Sequence, residues 1–205
     1  MTTRLHRGDL PDLSRYQTGA VAIDTETMGL DLRRDRLCVV QLSPGDGSAD
    51  VVQVPAGAPR APNLTKLLAD GNILKIFHFA RFDLGVLHGA LGVMPGPVYC
   101  TKIASRLART YSDKHGLKDL VRELLGIELS KQQQLSDWGA ADLSDAQVAY
   151  AASDVLHLHA LKAKLDAMLA REGRQELAAA CFRFLPDRVR LDMAGWATED
   201  IFAHS

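Results

Sequence analysis

At 205 residues the chain has the length of one globular domain with room for a substantial core. Apolar residues make up 47% and charged residues 24%, and no apolar run approaches the roughly 20 residues that span a bilayer, so no membrane segment is expected. A net charge of −1 argues against a broad basic surface that grips long duplexes through many phosphates; short or metal-held substrates fit better.

The N-terminal stretch from Met1 to Asp9 lacks the apolar core of a secretory signal, which makes the cytoplasm the expected compartment. Apolar runs at Ala20 to Ile23, Leu37 to Leu42 and Val51 to Val54, separated by Gly/Asp/Arg-rich turns, predict a three-strand antiparallel meander. A helix from Asn63 to Ala69, a strand from Ile73 to Phe77, a helix from Arg81 to His88 and a short strand at Val98 to Cys100 follow. This alternation predicts an α/β fold, a mixed central sheet flanked by helices. From Thr101 onward the pattern is helical: Lys102 to Thr110, Leu117 to Leu125, a long stretch from Asp145 to about Arg171, and Arg174 to Phe184. Ser144 and Gln147 form a capping-box signature at the start of the long helix. No second domain or repeat is visible, so residues 1–205 are expected to form a single domain. Cys38, Cys100 and Cys181 have neither an even count nor C-x-x-C spacing, and read as small buried hydrophobes rather than disulfide partners or zinc ligands.

Chemistry enters with four acids. Asp24 and Glu26 end the apolar run Val21-Ala22-Ile23 two residues apart, which places both on one face of a strand. Asp83 and Asp154 each stand in a predominantly apolar context, and Tyr150 precedes Asp154 by one helical turn, so a hydroxyl and a carboxylate point the same way. Taken singly, each is also explained as a solvated acid at an element end or a tyrosine packed in the core. Together, four carboxylates with no matching His or Cys density suit hard divalent cations, Mg²⁺ or Mn²⁺. Two such ions activate a water and stabilise the leaving oxygen in displacement at phosphorus, with Tyr150 orienting the water. Asp24, Glu26, Asp83 and Asp154 are thus the expected metal ligands, and with Tyr150 the expected catalytic set.

The ordered motifs Asp24-x-Glu26, Asp83 and Tyr150-x-x-x-Asp154 resemble those of the DEDD exonucleases, in the tyrosine-bearing subgroup. The stretches His115-Gly116-Leu117-Lys118-Asp119-Leu120, Leu129 to Gln134 and Asp137-Trp138 extend the resemblance to the exonuclease domain of ribonuclease D, without that enzyme's accessory helical domains. Asp35 to Leu42, Ile76 to Phe79 and the ending Phe202-Ala203-His204-Ser205 narrow it to short ribonuclease D-like chains, essentially end to end. The resemblance implies a ribonuclease H-like fold, two divalent ions and 3′-5′ hydrolysis of short RNA. Diribonucleotides such as linear diguanylate are the implied preferred substrates, and a homo-octamer the implied assembly. The alternatives are a general 3′-5′ exonuclease on longer RNA or DNA ends, and a non-catalytic nucleic-acid-binding module; four intact acids weigh against the last.

A capped dinucleotide site needs walls near the metals. Met28, Gly29 and Leu30 follow Glu26 directly and are placed to wedge against a base; Phe79 and Arg81 are candidates for stacking and phosphate contact. His78, Lys131 and Gln134 are further candidate substrate contacts, and His204 a candidate pocket-closing residue from a tail whose Trp196, Ile201 and Phe202 should dock on this domain or a neighbour. Core packing or an ordinary solvated loop explains each of these equally cheaply. The basic residues Lys102, Arg106, Arg109, Lys114 and Lys118 read as a solvated helical face and only weakly as a phosphate site.

Overall fold

The structure, a computed structural model, describes residues 2–57, 60–130, 132–133 and 135–204. Its centre is a six-stranded mixed sheet in the order β1-β4-β3-β2-β5-β6. The predicted meander is β2 (Ala20–Thr27), β3 (Leu37–Ser43) and β4 (Ser48–Gln53), paired antiparallel; β5 (Leu74–Phe77) and β6 (Val98–Cys100) extend it in parallel from β2. Sequence patterning gives no signal for β1 (Thr2–Arg7), which pairs parallel with β4 at the sheet edge and is exposed along most of its length. Its composition, Thr-Thr-Arg-Leu-His-Arg, has no buried face to generate an apolar period.

Strand alternation sorts side chains onto two faces. Val21 and Ile23 of β2 join Val40, Leu42 and Val52 in a core packed by α1 (Pro62–Ala69), α2 (Ala80–Leu91) and α7 (Gln175–Leu191). Ala22, on the opposite face, joins Val39, Ala49 and Val51 in a second core covered by α3 (Thr101–Ala108), α4 (Leu117–Leu125), α5 (Asp145–Leu156) and α6 (Leu158–Arg171). Asp24 and Glu26 continue the row of Ala22 and so face the α5 layer, whereas Thr25 faces the α2 layer.

Two helical expectations are corrected. The stretch from Asp145 to Arg171 is two helices, broken at His157, whose backbone (φ −104°, ψ −5°) stays right-handed but departs from regular α-helical values. No Gly or Pro marks the break, so the apolar period runs through it in the sequence. Helix α7 continues through Pro186 to Leu191, well beyond Phe184. Among the described residues no helix is long and apolar enough to cross a membrane.

Candidate active site

The carboxylates are assembled from three elements. In β2, Asp24 pairs across the sheet with Gln41 of β3, whose Nε2 donates to Asp24 Oδ2 at 2.9 Å. Ser144 caps α5 by accepting from the Gln147 amide at 3.2 Å, while Gln147 Oε1 accepts from the Ser144 amide at 3.0 Å. That cap, of a kind contributing about 1 kcal/mol, sets the helix start and hence the position of Asp154 in its last turn. Ligand oxygens of Asp24, Glu26 and Asp154 all lie within 4.8 Å of one another. Asp83 arrives from α2 in the other layer. It is buried and accepts a 2.7 Å hydrogen bond from Thr25 Oγ1, adjoining the three-carboxylate group rather than sharing it.

Electrostatically this is an unbalanced site. Burial, followed by the charges of Asp83, Asp154 and Glu26, pushes Asp24 well above the usual carboxylate range. Burial and the same neighbouring acids push Glu26 up to about 8. Burial takes Asp83 and Asp154 up to about 7, opposed at Asp154 by the Tyr150 hydroxyl and the Lys118 ammonium. Tyr150 is itself pushed up, first by burial and then by Asp154, Glu26 and Asp24, so at neutral pH it is a neutral phenol able to orient a water rather than remove its proton. Four acids sharing one region resist ionising together unless cations neutralise them, and an all-oxygen donor set of this kind fits Mg²⁺ or Mn²⁺.

A cleft of about 660 Å³ opens over this group, walled by Met28, Gly29 and Leu30, by His78, by Gly116 to Asp119 at the start of α4, and by Trp138 beneath Tyr150. The Trp138 and Tyr150 rings are 6.0 Å apart, and Trp138 is buried. A Cβ at Gly29 would crowd the Asp35 carboxylate, whose Oδ2 also accepts from the Asp31 amide, so glycine lets the two sides of this loop approach closely. Met28 and Leu30, on either side of Gly29, are exposed apolar side chains at the cleft mouth. His78 is held neutral by burial and by Lys102, which take it down to about 3, and its Nδ1 lies 2.9 Å from Thr101 Oγ1.

The remaining expected contacts fall elsewhere. Phe79 and Arg81 line a neighbouring pocket of about 540 Å³ that shares Leu30 and Phe82 with the cleft. Phe79 adopts a left-handed backbone (φ 69°) with its ring half exposed and Lys102 Nζ 4.3 Å from the ring centroid. Arg81 is committed to the chain terminus: it pairs with Asp192 and donates to the Ala197 carbonyl at 2.9 Å. Arg188 grips the Trp196 carbonyl at 2.9 Å, and the Phe184 and Phe202 rings meet edge-on at 6.1 Å. The tail therefore docks on its own domain, yet Phe202 remains 74% exposed. His204 is exposed and lies outside the cleft of its own chain, so a pocket-closing role for it would be played at a neighbouring subunit. Lys131 and Gln134 lie outside the described residues. Sequence reasoning passed over Gln41 and Thr25; a lone glutamine inside the buried strand Leu37–Ser43 was the available signal.

The layered fold and the carboxylate group define a class. A family model described as 3′-5′ exonuclease matches residues 12–170, and the chain belongs to that family, with its ribonuclease H-like fold. Ribonuclease D of Gluconacetobacter diazotrophicus is 38% identical over 167 residues, 82% of this chain and 42% of its own, so the chain spans about two-fifths of the length of the curated relatives it matches. Within the family the likeness is narrower. The structure of Brucella melitensis NrnC with bound Mg²⁺ superposes with a TM-score of 0.96 at 63% identity over the whole of both chains. NrnC of the same organism bound to pGG does so with a TM-score of 0.97 at 64% identity, again over both whole chains.

Proposed function

We propose that this protein is a metal-dependent 3′-5′ exoribonuclease that hydrolyses short oligoribonucleotides, diribonucleotides above all, to nucleoside 5′-monophosphates. The observation that carries the chemistry is the group of Asp24, Glu26 and Asp154 within 4.8 Å, with Tyr150 beside it. Full-length similarity to NrnC, solved with Mg²⁺ and with pGG, supports the metal and the substrate class.

Asp24, Glu26 and Asp154 would hold the ions, with Asp83 adding charge from the α2 side. Bound there, two Mg²⁺ or Mn²⁺ ions would supply an activated water and charge neutralisation at phosphorus. The Tyr150 hydroxyl orients the water, while Gln41 and Thr25 fix the Asp24 and Asp83 carboxylates through neutral donors that leave their charge intact. Met28 and Leu30 present apolar surface on which a base can pack. Water adds to the scissile phosphorus, the bond to the 3′ oxygen of the preceding nucleotide breaks, and that oxygen takes a proton. From 5′-phosphorylated diguanylate this yields two guanosine monophosphates.

The test is a comparison of initial rates on 5′-phosphorylated diguanylate, a ~7-nucleotide RNA and a blunt DNA duplex with Mg²⁺, using Asp24→Ala as control. Faster diguanylate hydrolysis that vanishes in the variant is expected. Equal or faster loss of the long substrates would instead identify a general exonuclease, the reading favoured by similarity to ribonuclease D. We place the protein in the cytoplasm as a homo-oligomer, an octamer by family likeness, which a native mass measurement checks.

A further inference from the structure

The cleft that must receive a polyanion is itself acidic. Asp24, Glu26, Asp119 and Asp154 line it, and among its described lining residues Lys118 is the one side chain that carries positive charge, since His78 is neutral. Cations held by Asp24, Glu26 and Asp154 would offset those carboxylates at one end of the substrate, whereas a 5′-phosphorylated dinucleotide carries a scissile phosphodiester and a terminal phosphate. Lys118 is near enough to Asp154 for its charge to act there, so it stands beside the reacting group rather than on a remote face.

The local structure fixes this lysine in advance. It occupies the first turn of α4, and the loop leading to that helix is held from below by Arg109, which is fully buried. Arg109 Nη1 donates to Ser105 Oγ at 3.0 Å and to the Lys114 carbonyl at 2.7 Å, and Nη2 pairs with Glu123 on α4 itself. Ser105 Oγ also meets His115 Nδ1 at 2.8 Å. A fully buried guanidinium with these partners ties the end of α3 to the loop before α4 and to the last turn of α4, and so restrains the segment that carries Lys118.

Resting on the exonuclease reading above, we infer that Lys118 is a substrate-binding residue that takes a phosphate of the dinucleotide, held in register by the Arg109 brace. A lysine acts here as a point charge with three donors and needs no planar fork, so an arginine of similar reach should serve in its place.

Lys118→Ala and Lys118→Arg would be compared with the parent protein on diguanylate with and without a 5′-phosphate, in Mg²⁺. Lys118→Ala is expected to raise KM roughly tenfold with kcat changed less than about threefold, and Lys118→Arg to restore most of the loss. A KM rise on both substrates assigns Lys118 to the scissile phosphate; a rise only on the 5′-phosphorylated one assigns it to the terminal phosphate. The dissociation constant for 5′-phosphorylated diguanylate in Ca²⁺, read by calorimetry, should weaken in parallel and become less sensitive to added salt. That measurement needs no turnover, so it stands even if the hydrolytic reading fails. Unchanged binding in Lys118→Ala, or a shifted kcat–pH profile with normal KM, would overturn the inference and leave Lys118 as a modulator of Asp154 alone.

Discussion

Two buried acids in this molecule have the same exposure and opposite surroundings. Asp50 of β4 and Asp83 of α2 are each 3% exposed. Asp50 is met by Arg15 at 2.6 Å, His6 at 2.9 Å, the Tyr16 hydroxyl at 2.6 Å and Arg4 at 3.8 Å, a ring of donors that joins β1 and the Ser14–Tyr16 turn to the sheet. Among the functional acids Asp83 accepts from the neutral Thr25 and Asp24 from the neutral Gln41, and Lys118 is the one cation that the cleft lining contributes among the described residues. Burial alone therefore says nothing about function. What separates the structural acid from the functional ones is whether the protein itself supplies the countercharge.

The largest effect that tests this contrast is on turnover. Asp24→Ala should lower kcat/KM by roughly 10³-fold or more, measured on diguanylate, because it removes a ligand shared by the group. Near-normal turnover in that variant would break the assignment of the cation site. Asp50→Ala should do the reverse: it strands the buried Tyr16 hydroxyl, leaves Arg15 with Asp46 and Ser48 alone, and lowers unfolding free energy by roughly 2–3 kcal/mol in urea titration. Its kcat at a temperature where it is folded should stay within about twofold, and a collapse of kcat there would erase the distinction. Tyr150→Phe should slow hydrolysis about 10- to 100-fold while leaving the Mg²⁺ concentration dependence unmoved, since the hydroxyl serves the water rather than the ions. A changed Mg²⁺ requirement would instead place Tyr150 in the coordination sphere.

The smallest of these effects concerns pH. Glu26 is raised to about 8, and Asp83 and Asp154 to about 7, from ordinary values of 4.5 and 3.8. The metal-free native state thus binds more protons than the unfolded chain between about pH 4 and pH 8. This contribution to stability is complete below the unfolded pKa values and is lost as pH rises through 7 to 8. In EDTA the protein should melt a few degrees lower near pH 8 than near pH 6, and added Mg²⁺ should recover more at the higher pH. Asp24→Asn should flatten the slope; an unchanged slope would mean that the acids are already compensated, as Asp50 is.

Much of the site is visible in the chain because it rests on local periodicities. Period two places Asp24 and Glu26 on one strand face, the Ser144–Gln147 box starts α5, and a four-residue step aligns Tyr150 with Asp154. Contacts that depend on register between distant segments are not visible in this way. Gln41 opposite Asp24, Thr25 against Asp83 and the lysine at the lip of α4 all come together only through pairing and layering. The edge strand β1 escaped for a related reason: its order comes from β4 and from the Asp50 ring, not from its own apolar content. The break at His157 is likewise a tertiary choice, since nothing in Asp154-Val155-Leu156-His157-Leu158 forbids a continuous helix.

The left-handed backbone at Phe79 has a consequence for anyone who wishes to harden this protein. A bulky residue at φ 69° carries a conformational penalty of about 1 kcal/mol that glycine would not, and that penalty holds a half-exposed ring at the rim between the two pockets. Glycine at this position would relieve that penalty but forfeit the ring's partial burial and its contact with Lys102, so backbone strain and side-chain packing are set against each other at a single residue. Stabilising designs for this scaffold belong at the Asp50 edge, where rigidity and turnover do not compete.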